Sequence, residues 1–257
     1  YHENVQGTDR VFIMPMRPIA VDGGALDGTY VANPDIYAAE VFAELLTERG
    51  ITVTSVTTGS APEITDDNTS GVVYSAPVRE LVDYMLTMSD NSLAEVLGHL
   101  VAAERGLVPD FDGSARGVYE SLVEQGFSTT GVTISDTAGL SIDNRVTGLL
   151  LTEVLTHAGS CSGCEIASVP HGLPISGFNG TLASRFEGMT SEGVVRAKTG
   201  TLIKANSLSG YFTTGEGETL AFSILIDDIE SGTTGIVRPA MDEAIDLLVT
   251  GGEENAG

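Results

Sequence analysis

Residues 194–202, Val-Val-Arg-Ala-Lys-Thr-Gly-Thr-Leu, constrain the fold more than any other stretch. They read as the first of three β segments, followed by 207–214 and 219–226, with the last two joined by the hairpin-like Gly215-Glu216-Gly217-Glu218. The three are consistent with an antiparallel sheet. An amphipathic helix expected over 238–249, with Ala240, Ala244, Ile245 and Leu248 on one side, would cover one face of it. Alternate side chains on a strand share a face, so Arg196 and Lys198 project one way while Ala197 and Thr199 project the other. Gly200 lacks a Cβ, which allows a ligand or another backbone to come close.

Taken alone, this stretch is a surface strand with an exposed lysine. Composition alters that reading, because the chain has 12 basic residues against 36 acidic ones and only two lysines, Lys198 and Lys204. Arg196, Lys198 and Lys204 lie close together in a protein of formal charge −24, a positive spot suited to holding an anion. The same charge argues against nucleic acid and anionic membrane surfaces as partners. At 257 residues and 42% hydrophobic, the chain can bury a sizeable core, and it has no apolar run of membrane-spanning length.

Before the sheet the chain reads mainly as helices. Residues 1–32 are strand and loop, Asn33-Pro34 starts a helix carrying Ile36, Ala39, Phe42, Leu45 and Leu46, and residues 51–56 read as a short strand. After an acidic loop, a helix with Leu81, Val82, Met85 and Leu86 leads into Ser89-Asp90-Asn91. A further helix with Leu93, Leu97, Leu100 and Val101 on its apolar stripe follows directly. The tripeptide therefore occupies a tight link between helices, for which simple N-capping is a sufficient explanation. A helix over 113–125, a shaped loop over 135–144, a helix from Thr147, and a second loop over 173–180 ahead of a short helix near 182–186 complete the chain. Cys161 and Cys164, flanked by His157 and His171, are open to three readings: a local disulfide, two free thiols, or a zinc site.

Ser89-Asp90-Asn91 and Lys198-Thr199-Gly200 match two of three motifs of penicillin-binding proteins and class A β-lactamases. With residues 88–95, Asp136-Thr-Ala-Gly-Leu-Ser141, Asn144-Arg145-Val146, Gly180-Thr-Leu182 and residues 197–202 in that order, the chain resembles the low-molecular-mass class C penicillin-binding proteins. These are the D-alanyl-D-alanine carboxypeptidases and endopeptidases of the cell wall. The resemblance implies an α+β fold, an antiparallel sheet flanked by helices beside a mostly helical subdomain, as in serine β-lactamases. It implies Ser89, Asn91 and Lys198 as catalytic residues: Ser89 relaying a proton to the leaving amine, Asn91 holding the substrate amide carbonyl, and Lys198 making the site electropositive. Thr199, Gly200 and Thr201 would bind substrate, the threonines at its terminal carboxylate and the Thr201 N–H as half of an oxyanion hole. No metal or cofactor is implied. The expected partners are peptidoglycan peptides ending in D-Ala-D-Ala and β-lactams, in an extracytoplasmic setting where a Cys161–Cys164 disulfide becomes the expected state.

One element of the family pattern is missing. The nucleophile belongs to a Ser-x-x-Lys motif, but the residues three before Lys198 and Lys204 are Val195 and Thr201. The chain is therefore expected to be the C-terminal portion of a longer enzyme, incomplete in its sheet and inactive alone. Residues 1–32 would return from an inserted domain, 33–250 would form the C-terminal part of the peptidase domain, and 251–257 a tail. A related β-lactamase or esterase, or a non-catalytic interaction protein with the same fold, are the competing readings.

Overall fold

The computed structural model describes residues 11–230 and 232–251; the ends of the first segment and of the tail expected above lie outside them. A two-stranded ribbon, β1 (Ala25–Leu26) and β2 (Thr29–Tyr30), precedes α1 (Pro34–Glu48). Then come α2 (Val78–Met88), α3 (Asn91–Glu104), α4 (Phe111–Glu124), α5 (Gly148–Ser160) and the single turn α6 (Val169–Gly172). Strands β3 (Arg196–Thr201), β4 (Asn206–Thr213) and β5 (Thr219–Ile226) form an antiparallel sheet in that order, and α7 (Thr234–Val249) ends the fold.

The register of the sheet sorts its side chains onto two faces. Ala197 lies opposite Gly210 and Thr199 opposite Leu208; Gly210 in turn faces Phe222. This face meets α7, where Ala197, Leu208, Phe212 and Phe222 close on Met241, Ile245 and Val249 together with Leu182 and Phe186. The other face carries Lys198 opposite Ser209, and Ser209 opposite Ser223, with Tyr211 one step along. Tyr211 packs with Leu155 of α5, Leu173 and Leu86 of α2, and its hydroxyl donates to the Leu155 carbonyl. The sheet thus has α7 on one side and α5 with α2 on the other.

Three expectations are corrected. Residues 51–56 form no strand: a strand needs a neighbour for its backbone groups, and among the described residues none pairs with this segment. The helix expected from 238 begins at Thr234, one turn early, so Pro239 lies inside it; the packing of Met241, Ile245 and Val249 outweighs one missing backbone donor. On α3, Ser92, Glu95, Gly98 and Ala102 are buried, while Leu93, Leu97 and Val101 of the expected stripe are only half-buried and Leu100 is exposed, so the deepest side of the helix is its small and polar one. Close approach explains the inversion. A Cβ on Gly98 would lie 2.4 Å from Thr137 Oγ1, and one on Gly117 of α4 only 3.3 Å from Val101. Helix α1 forms as expected, yet Phe42 and Leu45 of its stripe are 61% and 44% exposed.

Cys161 and Cys164 are joined as a disulfide at the end of α5, in line with the expectation.

Gly210 tests the sheet. A Cβ there would meet the Arg196 carbonyl oxygen at 2.0 Å and Ala197 Cα at 2.5 Å, both backbone atoms that cannot rotate away. Gly210→Ala should cost roughly 3 kcal/mol in denaturant unfolding, whereas Gly215→Ala, with nothing within 4 Å, should stay within about 0.5 kcal/mol. Equal stabilities for the two variants would refute this account of β3–β4 packing.

Candidate active site

The link between α2 and α3 is built from three residues with three separate duties. Ser89 ends α2 in the left-handed region, at φ 57° and ψ 49°. Asp90 caps α3, its carboxylate accepting from the Leu93 N–H at 2.9 Å. Asn91 is the first residue of α3. Capping therefore accounts for Asp90 and for nothing else in the motif. Ser89 adopts a conformation that glycine would take freely and that costs a serine about 1 kcal/mol, and such strain concentrates at functional positions.

Packing delivers this corner to the sheet. Leu86 sits against Leu155, Leu173 and Tyr211, and Thr87 Oγ1 donates to the Gly172 carbonyl at 2.8 Å. Gly180 approaches so closely that a Cβ there would lie 2.3 Å from the Thr87 carbonyl oxygen. Lys198 Nζ then donates to Ser89 Oγ at 2.6 Å and to the Thr199 carbonyl at 2.9 Å. Burial pushes the Lys198 ammonium down to about 8 from its usual value near 10.5.

Beside this pair, Thr199 Oγ1 bonds Thr181 Oγ1 at 2.8 Å. Thr201 Oγ1 accepts from Arg238 of α7 at 2.8 Å. Asn91 is turned elsewhere: its Nδ2 donates to the Phe12 carbonyl at 3.0 Å, which holds an N-terminal segment against α3. The bare face of Gly200 is occupied by Ser207, whose Oγ lies 2.2 Å from where a Cβ would stand. Along the edge of β3 away from β4, the Ala197 N–H donates to the Pro174 carbonyl and Ile175 bridges to Arg196. Because backbone groups alternate sides along an antiparallel strand, the N–H groups of Thr199 and Thr201 point to this same outer edge, past the segment that covers its beginning.

A third element, residues 136–144, is bonded to α3 and reaches the cluster on which Leu202 packs. Asp136, 4% exposed, accepts from the N–H groups of Gly139, Leu140 and Ser141 and from Asn144 Nδ2. Leu140 and Ile13 form a small buried cluster, against which Ala138 and Leu202, the residue that follows Thr201, are packed. The sequence reading recognised this loop without its anchors and left Thr181, Arg238 and Glu95 off the site; a glutamate among the small residues of a helix was the available signal.

The chain that carries this strained serine, half-buried lysine and open strand edge matches a known family. The family model described as D-Ala-D-Ala carboxypeptidase 3 (S13) matches residues 16–248. The chain belongs to that family. It is 33% identical over 245 residues to "Carboxypeptidase DacB" of Mycolicibacterium smegmatis, covering 92% of this chain and 52% of that protein. With "D-alanyl-D-alanine carboxypeptidase" of an Actinomadura species it shares 35% over 227 residues, 84% of this chain and 40% of the relative. Among solved structures it is similar to penicillin binding protein 4 (dacB) of Haemophilus influenzae complexed with a β-lactam, at a TM-score of 0.70 and 25% identity over 84% of this chain and 52% of that one. An extended-spectrum β-lactamase at TM-score 0.52 and 18% identity shares the fold. The chain spans about half the length of the curated relatives it matches.

The lowered Lys198 value makes a signed prediction. Between pH 8 and 10.5 the unfolded chain holds a proton that the native one has released, so this residue's contribution to unfolding free energy rises with pH across that window and is flat below it. Urea unfolding at pH 7.5, 8.5 and 9.5 should show that rise in the parent relative to Lys198→Met. Parallel profiles would mean that the lysine is not held as described.

Proposed function

We propose that the complete protein is a serine-type D-alanyl-D-alanine carboxypeptidase or endopeptidase that works through an acyl-enzyme, binds penicillin, and acts outside the cytoplasmic membrane. The observation that carries this reading is the 2.6 Å bond from the half-buried Lys198 ammonium to the hydroxyl of a strained Ser89. A hydroxyl beside a cation whose pKa has fallen toward neutrality can relay protons without becoming charged itself. Acyl transfer needs such a route to the leaving amine, together with donors aimed at the developing oxyanion.

In this reading Ser89 relays the proton, and Lys198 keeps the site electropositive. Asn91 holds the substrate amide carbonyl with the second hydrogen of the Nδ2 group that also binds Phe12. Thr199 and Thr201 take the terminal carboxylate, the Thr201 N–H supplies half of the oxyanion hole, and Gly200 keeps the strand narrow between them. The nucleophilic serine and its own lysine come from a part of the protein outside these 257 residues. That same part would cover the exposed stripe of α1 and pair with residues 51–56. The relatives support the substrate class: one is a D-alanyl-D-alanine carboxypeptidase, and a penicillin binding protein was crystallised with a β-lactam.

A fluorescent penicillin followed by a denaturing gel tests the division of labour. The complete protein should carry covalent label and this chain alone none; label on this chain would put the nucleophile within it and overturn the proposal. In the complete protein, Lys198→Ala should slow acylation on the order of a hundredfold or more while circular dichroism stays native. An unchanged rate would reduce Lys198 to a structural residue.

A further inference from the structure

Glu95 lies on α3 one turn beyond Asn91, on the same side of the helix. It is fully buried. One carboxylate oxygen accepts from the Thr137 and Ala138 N–H groups at 2.9 and 2.8 Å, and the other from Thr137 Oγ1 at 2.8 Å. Gly98, three residues on, leaves just enough room for Thr137 to reach this position. Burial holds the Glu95 carboxyl above its ordinary range, opposed by those hydrogen bonds. A helix and a loop that needed only to adhere would do so through apolar side chains, with no buried charge to offset. Three directed bonds instead fix where the loop backbone runs.

The loop passes that constraint on. Asp136 ties Gly139, Leu140 and Ser141 into one turn, with Asn144 braced against it and accepting from the Ser135 N–H at 2.7 Å. Leu140 then joins Ile13 in a small buried cluster against which Ala138 and Leu202, the residue just after β3, are packed. The circuit closes through β3 itself, because Lys198 returns to Ser89 just before α3 begins. A side chain placed at Glu95 therefore sets two distances together: from the α2–α3 corner to the loop, and from the loop to the strand edge.

We infer that Glu95 is a positioning residue for acyl transfer, holding residues 136–141 as the third wall of the site and thereby setting the separation between Ser89 and Asn91 on one side and the end of β3 on the other. The inference rests on the acyl-transfer reading for its kinetic consequence but not for its structural one. Glu95→Gln keeps a carbonyl oxygen for the two N–H donors, and its amide can donate to Thr137 Oγ1, whose own hydrogen turns to the Ala94 carbonyl 3.1 Å away. Glu95→Ala abandons all three donors.

The test uses the complete protein and two readouts. At saturating fluorescent penicillin, Glu95→Gln should acylate within about threefold of the parent and Glu95→Ala at least about tenfold more slowly, since small misplacements of a catalytic group are costly. Arg185→Met, which breaks the buried pair with Asp242 on the α7 side of the sheet, serves as a variant destabilised away from the site and should acylate at the parent rate. If Glu95→Ala does not fold, Glu95→Asp, with its carboxylate withdrawn by one methylene, carries the same expectation. Hydrogen exchange supplies the second readout: Glu95→Ala should lose amide protection over 137–141 and at Leu202, and Arg185→Met should not. A folded Glu95→Ala or Glu95→Asp that acylates like the parent, or an equal loss in Arg185→Met, overturns the inference. A parent that takes no label sinks the acyl-transfer reading instead, and the exchange pattern then decides the positioning claim by itself: lost protection over 137–141 and Leu202 supports it, and unchanged protection overturns it.

Discussion

The bond from Lys198 to Ser89 spans 109 residues of chain, and most of the unusual backbone geometry nearby exists to let it form. It needs a helix end and a strand at hydrogen-bonding distance, although each belongs to a different packing layer. Gly180 supplies the close approach at Thr87, and Ser89 accepts a left-handed conformation so that α2 can stop and turn in one residue. Neither of these features is required by the sheet or the helices as such. Each is required once the two must meet at one hydroxyl.

Legibility from sequence followed the physics of each element. The three strands and α7 were readable because period-two alternation and a Gly-Glu-Gly-Glu link are local signals. The two motifs were readable as residues, and the structure joins Ser89 and Lys198 directly. What failed was whatever depended on neighbours. The stripe of leucines on α3 is the stronger local signal, yet the helix turns Ser92, Glu95 and Gly98 inward, because close backbone contact with Thr137 and α4 outweighs the burial of larger groups. Residues 51–56 have strand composition without a strand partner among the described residues, and propensity alone does not make a ladder. Asn91 was matched to the site by its motif, but where its amide points is set by Phe12, almost eighty residues away in the chain.

Apolar surface tells a related story. Phe42 and Leu45 of α1 are exposed, as are Val73 and Tyr74 ahead of α2, at 97% and 88%. Single exposed apolar residues are ordinary, but here two large residues of one helix stripe and two of an extended segment are exposed together. The packed part of the molecule, by contrast, is the part that carries the site: α7 and α5 clamp the sheet, and α2 rests on α5 through Leu86. The best-packed region of the chain is therefore the one in which Ser89 and Lys198 meet.

The electrostatics of Lys198 complete the argument. Acidic residues outnumber basic ones three to one in this chain, and a buried cation shows what such an excess normally does: Arg185 is paired with Asp242, which neutralises it at 10% exposure. Lys204 lies near Asp228, and Arg105 binds Glu120 and Glu124. Among the described residues Lys198 has no carboxylate within ion-pair distance; its bonds go to a hydroxyl and a carbonyl, both uncharged. A fold stabilised for its own sake would place an acid there, since an unneutralised buried ammonium is costly. Leaving it out has two effects that act together. The positive charge of the ammonium is left uncompensated beside Ser89 and the Thr199 carbonyl. Its pKa, which burial lowers to about 8, is also not drawn back up by a carboxylate partner. A single Asp or Glu beside Lys198 would undo both.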